Sequence, residues 1–293
     1  MPSPKRKRIQ NARQAKDRLA KGQGNYLKSD YEPYITIHDF SSLGLASRIP
    51  HNGRIVQSMS NNETAFLREL QWAGAHDIYD QVALADFEEK NVDHTVEIAR
   101  HLGISHPVHS KDGSPSVLTT DFVARWISAD GRAEVHAFAV KPVKELVVDP
   151  EKSETSRTGE YRTIDKLEIE RRYWKGQGIN WSLVTDHDLS QTRKANIEHF
   201  LLAPKKALEN FDKKAFLAFL AEYLAVARRT DKLEDLAHAT GSPAHDLTAA
   251  DLVEAVRQLI ADRSIEFDLD VKFEPSVLLS ALKVVSVPSL ESA

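Results

Sequence analysis

Ser116-Val117-Leu118-Thr119-Thr120-Asp121-Phe122-Val123-Ala124-Arg125-Trp126-Ile127, followed after a short polar break by Val135-His136-Ala137-Phe138-Ala139-Val140-Lys141, is the stretch that decides the fold. Both runs are rich in β-formers and short enough to be strands. Each carries a charge at a telling place, Asp121 in mid-strand and Lys141 at a strand end. A hairpin pairing of the two runs brings Asp121 beside Lys141, although sequence alone leaves the register open.

Working outward, a helix is expected from Asn62, where Phe66, Leu67 and Leu70 recur at helical spacing and Glu63 lies one turn before Leu67. Asn61 or Asn62 is the expected N-cap. Ile78–Leu84 has strand character, Thr95–Leu102 reads as a short helix, and Tyr34–Phe40 and Arg54–Gln57 look extended. After Lys141 the polar stretch Pro142–Tyr161 reads as a loop, Arg162–Lys175 as a charged helix, and Ile179–Thr185 as a last buried strand. Helix, strands, helix and strand in this order predict a mixed α/β sheet domain ending near Asp186.

Beyond residue 190 the pattern changes. Gln191–Leu202, Lys206–Arg229, Lys232–Thr240 and Ala249–Arg263 read as helices, and Ile265–Asp270 alternates like a strand, with Phe273 beyond. That order is the outline of a winged helix. Leu252, Val253, Val256, Leu259 and Ile260 form a core stripe, while Asp251, Glu254 and Asp262 outnumber Arg257 and Arg263. Such a charge suits a protein partner better than the major groove.

Residues 1–25 predict a basic arm, with a short helix around Arg13–Lys21. Lys5, Arg6, Lys7, Arg8, Arg13 and Lys16 precede the first acid, Asp17. The block suits either phosphate neutralisation or a solvated tail. The 293 residues, 41% hydrophobic and 28% charged, describe a globular protein of one large or two ordinary domains. No run approaches the roughly 18 apolar residues of a membrane span, and no leader-like apolar segment follows the basic start. The absence of cysteine excludes disulfides, thiolate nucleophiles and Cys-based zinc sites, and fits a cytoplasmic bacterial protein. No phosphate-binding Gly-Lys-Ser/Thr loop is present. His101, His106 and His109 raise a zinc site, but Pro107 places them about a turn with no further ligand, which favours structural roles.

Phosphodiester hydrolysis needs oxygen ligands for divalent cations and a means of activating water. Asp121, Glu63 and the Val140 carbonyl offer the oxygens, and Lys141 would orient or help deprotonate water, or offset charge on the phosphate. The plain alternative is an exposed Asp and Lys on two surface strands.

Gly22-Gln23-Gly24…Asp30-Tyr31, the Glu63 helix, Ser116–Phe122, Val140-Lys141-Pro142 and Lys166-Leu167-Glu168-Ile169-Glu170-Arg171-Arg172-Tyr173-Trp174 together resemble TnsA. That family is the restriction-endonuclease-like subunit of heteromeric cut-and-paste transposases, and the resemblance spans about residues 20–200. It implies an α/β, restriction-endonuclease-like core of the PD-(D/E)xK type over 26–188, followed by a winged-helix-like partner-binding domain over 189–293. It further implies catalysis by Glu63, Asp121 and Lys141 with Mg²⁺, or Mn²⁺ in its place; Glu63, Asp121 and the Val140 carbonyl remain the expected metal ligands, with Glu170 a weaker candidate. Double-stranded DNA at transposon ends, a TnsB-type DDE transposase and a TnsC-type ATPase are the implied partners, with cleavage at the 5′ ends of the element. Arg171 and Arg172 would meet phosphates if their helix borders the DNA. One position departs: Ala139, two before the lysine, stands where most of that superfamily has an acid. It keeps open a non-cleaving adaptor between DNA and a TnsC-like regulator. A stand-alone restriction-type nuclease is the third reading.

Overall fold

A computed structural model of the chain describes residues 9–39, 45–147, 154–203, 211–239, 241–244 and 247–285, with backbone alone over 154–160. The chain divides into two compact units, Met1–Leu189 and Ser190–Ala293. No helix among the described residues is long and apolar enough to cross a membrane.

The first unit is built on a four-stranded mixed sheet. Its strands β3 (Asp77–Ala83), β4 (Thr119–Ile127), β5 (Ala133–Val140) and β6 (Asn180–Val184) lie side by side in that order. The first three are antiparallel and β6 joins parallel to β5. The parallel step needs a crossover, supplied by α4 (Glu154–Gly176). Against one face packs α2 (Asn61–Trp72), whose Phe66, Leu67 and Leu70 join Ile78, Phe122, Ala124, Phe138 and Val140. The other face carries α3 (Asp93–Leu102) and α4, where Tyr173 and Trp174 join Tyr79, Val82, Leu84, Val123 and Ala137. The chain is therefore a mixed α/β, restriction-endonuclease-like core followed by a helical extension.

The two-residue alternation of a strand slips at one pair of neighbours. Tyr79 and Val82, three residues apart, share the α4 face. On β4, Thr120 bonds the α4 residues Glu170 and Trp174, whereas Phe122 packs with α2. The ladder pairs Asp80 with Phe122 and Val82 with Thr120, and between these pairs lie Gln81 and Asp121. Gln81 holds a left-handed backbone (φ 53°), unusual for a residue with a Cβ. Its carbonyl accepts the Tyr34 N–H at 3.1 Å, and the preceding Asp80 carbonyl accepts the Tyr31 hydroxyl at 2.5 Å. Two consecutive carbonyls thus leave the ladder toward the N-terminal segment.

That segment is more ordered than a basic arm. Helix α1 (Ala12–Ala20) is capped by Asn11 and buries Ala15 and Leu19. Arg18 pairs with the buried Asp39 at 2.7 Å and donates to the Tyr34 carbonyl at 2.6 Å. Gly24 (φ 81°) sits so close to Tyr34 and Ala83 that a Cβ would lie 2.7 Å from each, so only glycine fits. Lys5–Arg8 lie outside the described residues.

Several local expectations are corrected. Tyr34–Asp39 bends and turns rather than extending, because Asp39 accepts from the Thr36 N–H and hydroxyl; Phe40 lies outside the described residues. The extended stretch expected at Arg54–Gln57 is present as strand β2 (Arg54–Ser58), but it pairs with an unexpected β1 (Ser47–His51) through Asn52-Gly53. Both turn residues have positive φ (43° and 77°), as a tight two-residue hairpin demands. The N-cap of α2 is Ser60, not Asn61 or Asn62, since its hydroxyl accepts the Glu63 N–H. Helix α4 starts at Glu154, within the expected loop, while Val143–Glu145 is a short 3₁₀ turn.

In the second unit, α5 (Gln191–Leu201), α6 (Lys213–Val226) and α7 (Ala249–Ala261) are joined by an antiparallel pair, β7 (Ile265–Phe267) and β8 (Leu282–Val284). Leu252, Val256, Leu259 and Ile260 of α7 are buried, while Val253 is half-buried. The stretch expected as a helix over Lys232–Thr240 forms a 3₁₀ helix, Leu233–His238, and Thr240 lies outside the described residues. The strand beginning at Ile265 ends at Phe267.

Candidate active site

Asp121 and Lys141 meet at the end of β5. The β4–β5 ladder stops at the pair Phe122–Phe138, so its continuation sets Asp121 opposite Ala139, with Lys141 just past the strand end. The Lys141 Nζ lies 2.7 Å from Asp121 Oδ2 and 3.0 Å from the Val140 carbonyl oxygen. The Val140 N–H donates to the same Asp121 oxygen at 2.8 Å. Burial works against the Lys141 charge, but Asp121 beside it more than offsets this and holds the ammonium above the usual lysine range.

Glu63 reaches the site from the first turn of α2. Its Oε2 accepts the Met59 N–H at 2.8 Å and its Oε1 the Ser60 hydroxyl at 3.0 Å. This is a variant of the capping box, in which a first-turn glutamate reaches back to a free N–H. Burial, then the negative charge of Asp121, pushes its carboxyl up to about 7.

Glu170 comes from the opposite face. Its Oε1 accepts the Thr120 hydroxyl at 2.8 Å and the Trp181 indole N–H at 2.9 Å. Trp174 in turn donates to Thr120 at 2.6 Å, so the tryptophan at the end of the Lys166–Trp174 string steadies a carboxylate through Thr120 as well as filling the core. Burial and then Asp121 push Glu170 up to about 7 as well. The strand slip explains how helices on opposite sheet faces can both address Asp121.

These groups line one cavity of about 550 Å³, with Glu63, Gln81, Asp121, Lys141, Lys166 and Glu170 in its wall. Gln81 is the residue that sequence reasoning missed. Its Nε2 donates to Asp121 Oδ1 at 3.3 Å and its Oε1 accepts the Thr119 hydroxyl at 2.9 Å. The available signal was the adjacent polar pair Asp80-Gln81 inside an apolar strand. Ala139 is fully buried and offers no polar side chain from β5.

Among the described residues, no group of three His, Asp or Glu side chains is disposed to hold a metal ion as it stands. The oxygens of Asp121 and Val140 do converge on one cationic nitrogen, that of Lys141. Arg171 and Arg172 are both engaged by Glu168, at 2.8 and 2.7 Å, and neither lines the cavity. Of the three histidines, His106 bonds Thr95 at 3.0 Å, His109 is buried, and His101 lies 3.6 Å from Glu97.

Two comparisons bear on this arrangement. A family model described as the TnsA-like endonuclease N terminal matches residues 76–186, which hold β3 to β6, Asp121, Lys141 and Glu170. The chain is also 30% identical over 268 residues, 90% of its own length and 88% of the relative's, to the transposon Tn7 transposition protein TnsA of Escherichia coli.

Proposed function

The chain belongs to the TnsA family, and from that premise we propose that it is the DNA endonuclease subunit of a heteromeric transposase, hydrolysing the strand at the 5′ ends of its element with a divalent metal. The observation that carries this reading is the convergence of Asp121, Lys141, Glu63 and Glu170 on one cavity. Three carboxylates share the cavity wall with the ammonium groups of Lys141 and Lys166, and two of the carboxylates are pushed toward neutrality by burial and by Asp121. A divalent cation relieves such a surplus of negative charge. Mg²⁺ or Mn²⁺ suits the all-oxygen donors Glu63, Asp121 and the Val140 carbonyl.

The metal, when bound, would supply an activated water and a positive charge against the phosphate. Asp121 would hold it, steadied by the Val140 N–H and by Gln81. Glu63 would add its carboxylate by loosening its grip on Met59 and Ser60. In the metal-free site Asp121 holds Lys141 protonated, and a charged Lys141 would offset negative charge on the phosphate rather than take a proton from water. Double-stranded transposon DNA would be the substrate. A TnsB-type transposase and a TnsC-type ATPase would position the subunit, the latter through the second unit with its acidic α7.

Calorimetric titration of Mn²⁺ into the full chain tests the site without partners. Wild type should bind, and Asp121→Ala and Glu63→Ala should not. Folded wild type that stays silent even with duplex DNA would favour the non-cleaving adaptor. Cleavage of DNA by the subunit alone would favour the stand-alone nuclease.

A further inference from the structure

Gln81 is the one non-glycine residue in the cavity wall with a left-handed backbone, and it is almost wholly buried, at 5% exposure. A glutamine is not a residue that relieves such a conformation, and strained backbones of this kind persist only where the surroundings hold them. Here they do. The Gln81 carbonyl is taken by the Tyr34 N–H, its Oε1 by Thr119, and its Nε2 is aimed at Asp121. Asp121 sits between two neighbouring strands. On the β5 side, the residue opposite it in the continued register is Ala139, which has no polar group, and support comes from Val140 and Lys141 to Oδ2 alone. On the β3 side, Gln81 is the donor to Oδ1.

We propose that Gln81 is the positioning residue of the metal site: its amide fixes the second oxygen of Asp121, and its left-handed backbone makes the slip that sets Asp121 between the carboxylates of α2 and α4. Without the amide, Asp121 would be anchored through Oδ2 only and free to turn about that bond. Without the backbone turn, the alternation of β3 and β4 would run on regularly and commit Asp121 to one face. Groups that orient a metal ligand typically govern metal affinity by about 10–100-fold when removed. This inference rests on the metal reading of the site, and the test separates the two.

The full chain, as wild type, Gln81→Met, Gln81→Gly and Asp121→Ala, is melted thermally and titrated with Mn²⁺ alone by calorimetry. Met keeps the length of the side chain and removes both hydrogen-bonding groups. Gly accepts the positive φ freely and removes the side chain. The expected result is that both Gln81 variants weaken Mn²⁺ binding by about 10–100-fold while each keeps a cooperative thermal transition, so that the lost affinity is not a lost fold. Wild-type affinity in a folded Gln81→Met or Gln81→Gly chain, with binding lost in Asp121→Ala, would overturn the role of Gln81 and leave the metal site standing. Wild-type affinity in Asp121→Ala would overturn the metal reading and this inference with it.

Discussion

The two units bury different kinds of residue. Among the described residues, every buried carboxylate (Asp39, Glu63, Asp80, Asp121 and Glu170) lies in the first unit, whereas the buried polar residues of the second are Asn196 and Ser242. Asn196 is satisfied by the Leu269 and Val271 carbonyls. A unit that has only to fold and present a surface has no use for interior charge, because desolvating a carboxylate is costly unless it is paired. Asp39 has its partner in Arg18. Burial lifts Asp80, Glu63 and Glu170 to about 7. On the proposed reading, the interior charge marks the unit in which stability is given up for chemistry, and the difference can be probed by changes that ought to affect one unit and spare the other.

The largest effect is expected from Lys141→Ala. If Lys141 offsets charge on the reacting phosphate as proposed, its loss should slow strand cleavage by roughly 10²–10³-fold in the reconstituted transposition reaction. Asp251→Ala, on the first turn of α7, should leave the cleavage step unchanged once the complex has assembled. Equal losses from both would erase the distinction between the units.

A second test uses pH. Glu63, Asp80 and Glu170 have folded values raised above those of free carboxylates, so the folded first unit holds more protons than the unfolded chain between about pH 4 and 7. Their contribution to stability is therefore complete below about pH 4 and is lost as pH rises through 7. Melting followed from pH 5.5 to 8 without metal should show the first unit falling by more than the ~2–4 °C that one kcal/mol moves a domain of this size. Mn²⁺ should restore the upper end, because it takes the place of the protons. A first-unit transition flat across that range would contradict the raised values of these buried carboxyls.

The smallest effect comes from two matching caps. Ser60 caps α2 and bonds Glu63, and Thr248 caps α7 and bonds Asp251 at 2.6 Å. Replacing either by Ala should cost about 1 kcal/mol of stability, read by chemical denaturation. Only Ser60→Ala should also change Mn²⁺ affinity, since only that cap holds a carboxylate of the cavity. A change of affinity in Thr248→Ala would break the comparison.

Much of this was legible in the sequence, and unevenly so. The strands around Asp121 and Lys141 announce themselves through apolar runs bounded by polar ones. The Ser60-Asn61-Asn62-Glu63 box and the Asn52-Gly53 hairpin carry local signals of fixed spacing, yet the cap was expected one or two residues late, at Asn61 or Asn62, and β1 was not expected. The beginning of α4 was not, since the polar stretch Glu154–Tyr161 has no apolar stripe to betray a helix. Nor was the slip at Gln81 and Asp121. It depends on Tyr34, Thr119 and two helices from distant parts of the chain, and no window along β3 contains them. The pattern of residues already offered Glu63 beside Asp121 and Lys141, and Glu170 stood as a weaker candidate, while the folded geometry brings forward Gln81, on which sequence and resemblance were silent.

The N-terminal segment has a consequence for handling the protein. Strand β3 is the outer strand of its sheet, and its outward carbonyls at Ile78, Asp80 and Gln81 are taken by Arg54, Tyr31 and Tyr34. The Ala83 N–H is likewise given to Gly24. An uncovered outer strand is a template on which other chains pair and aggregate. Trimming the first thirty-four residues as a dispensable tail would strip Gly24, Tyr31 and Tyr34 from that strand and leave only Arg54 on it, and the shortened protein should aggregate more readily than the whole one.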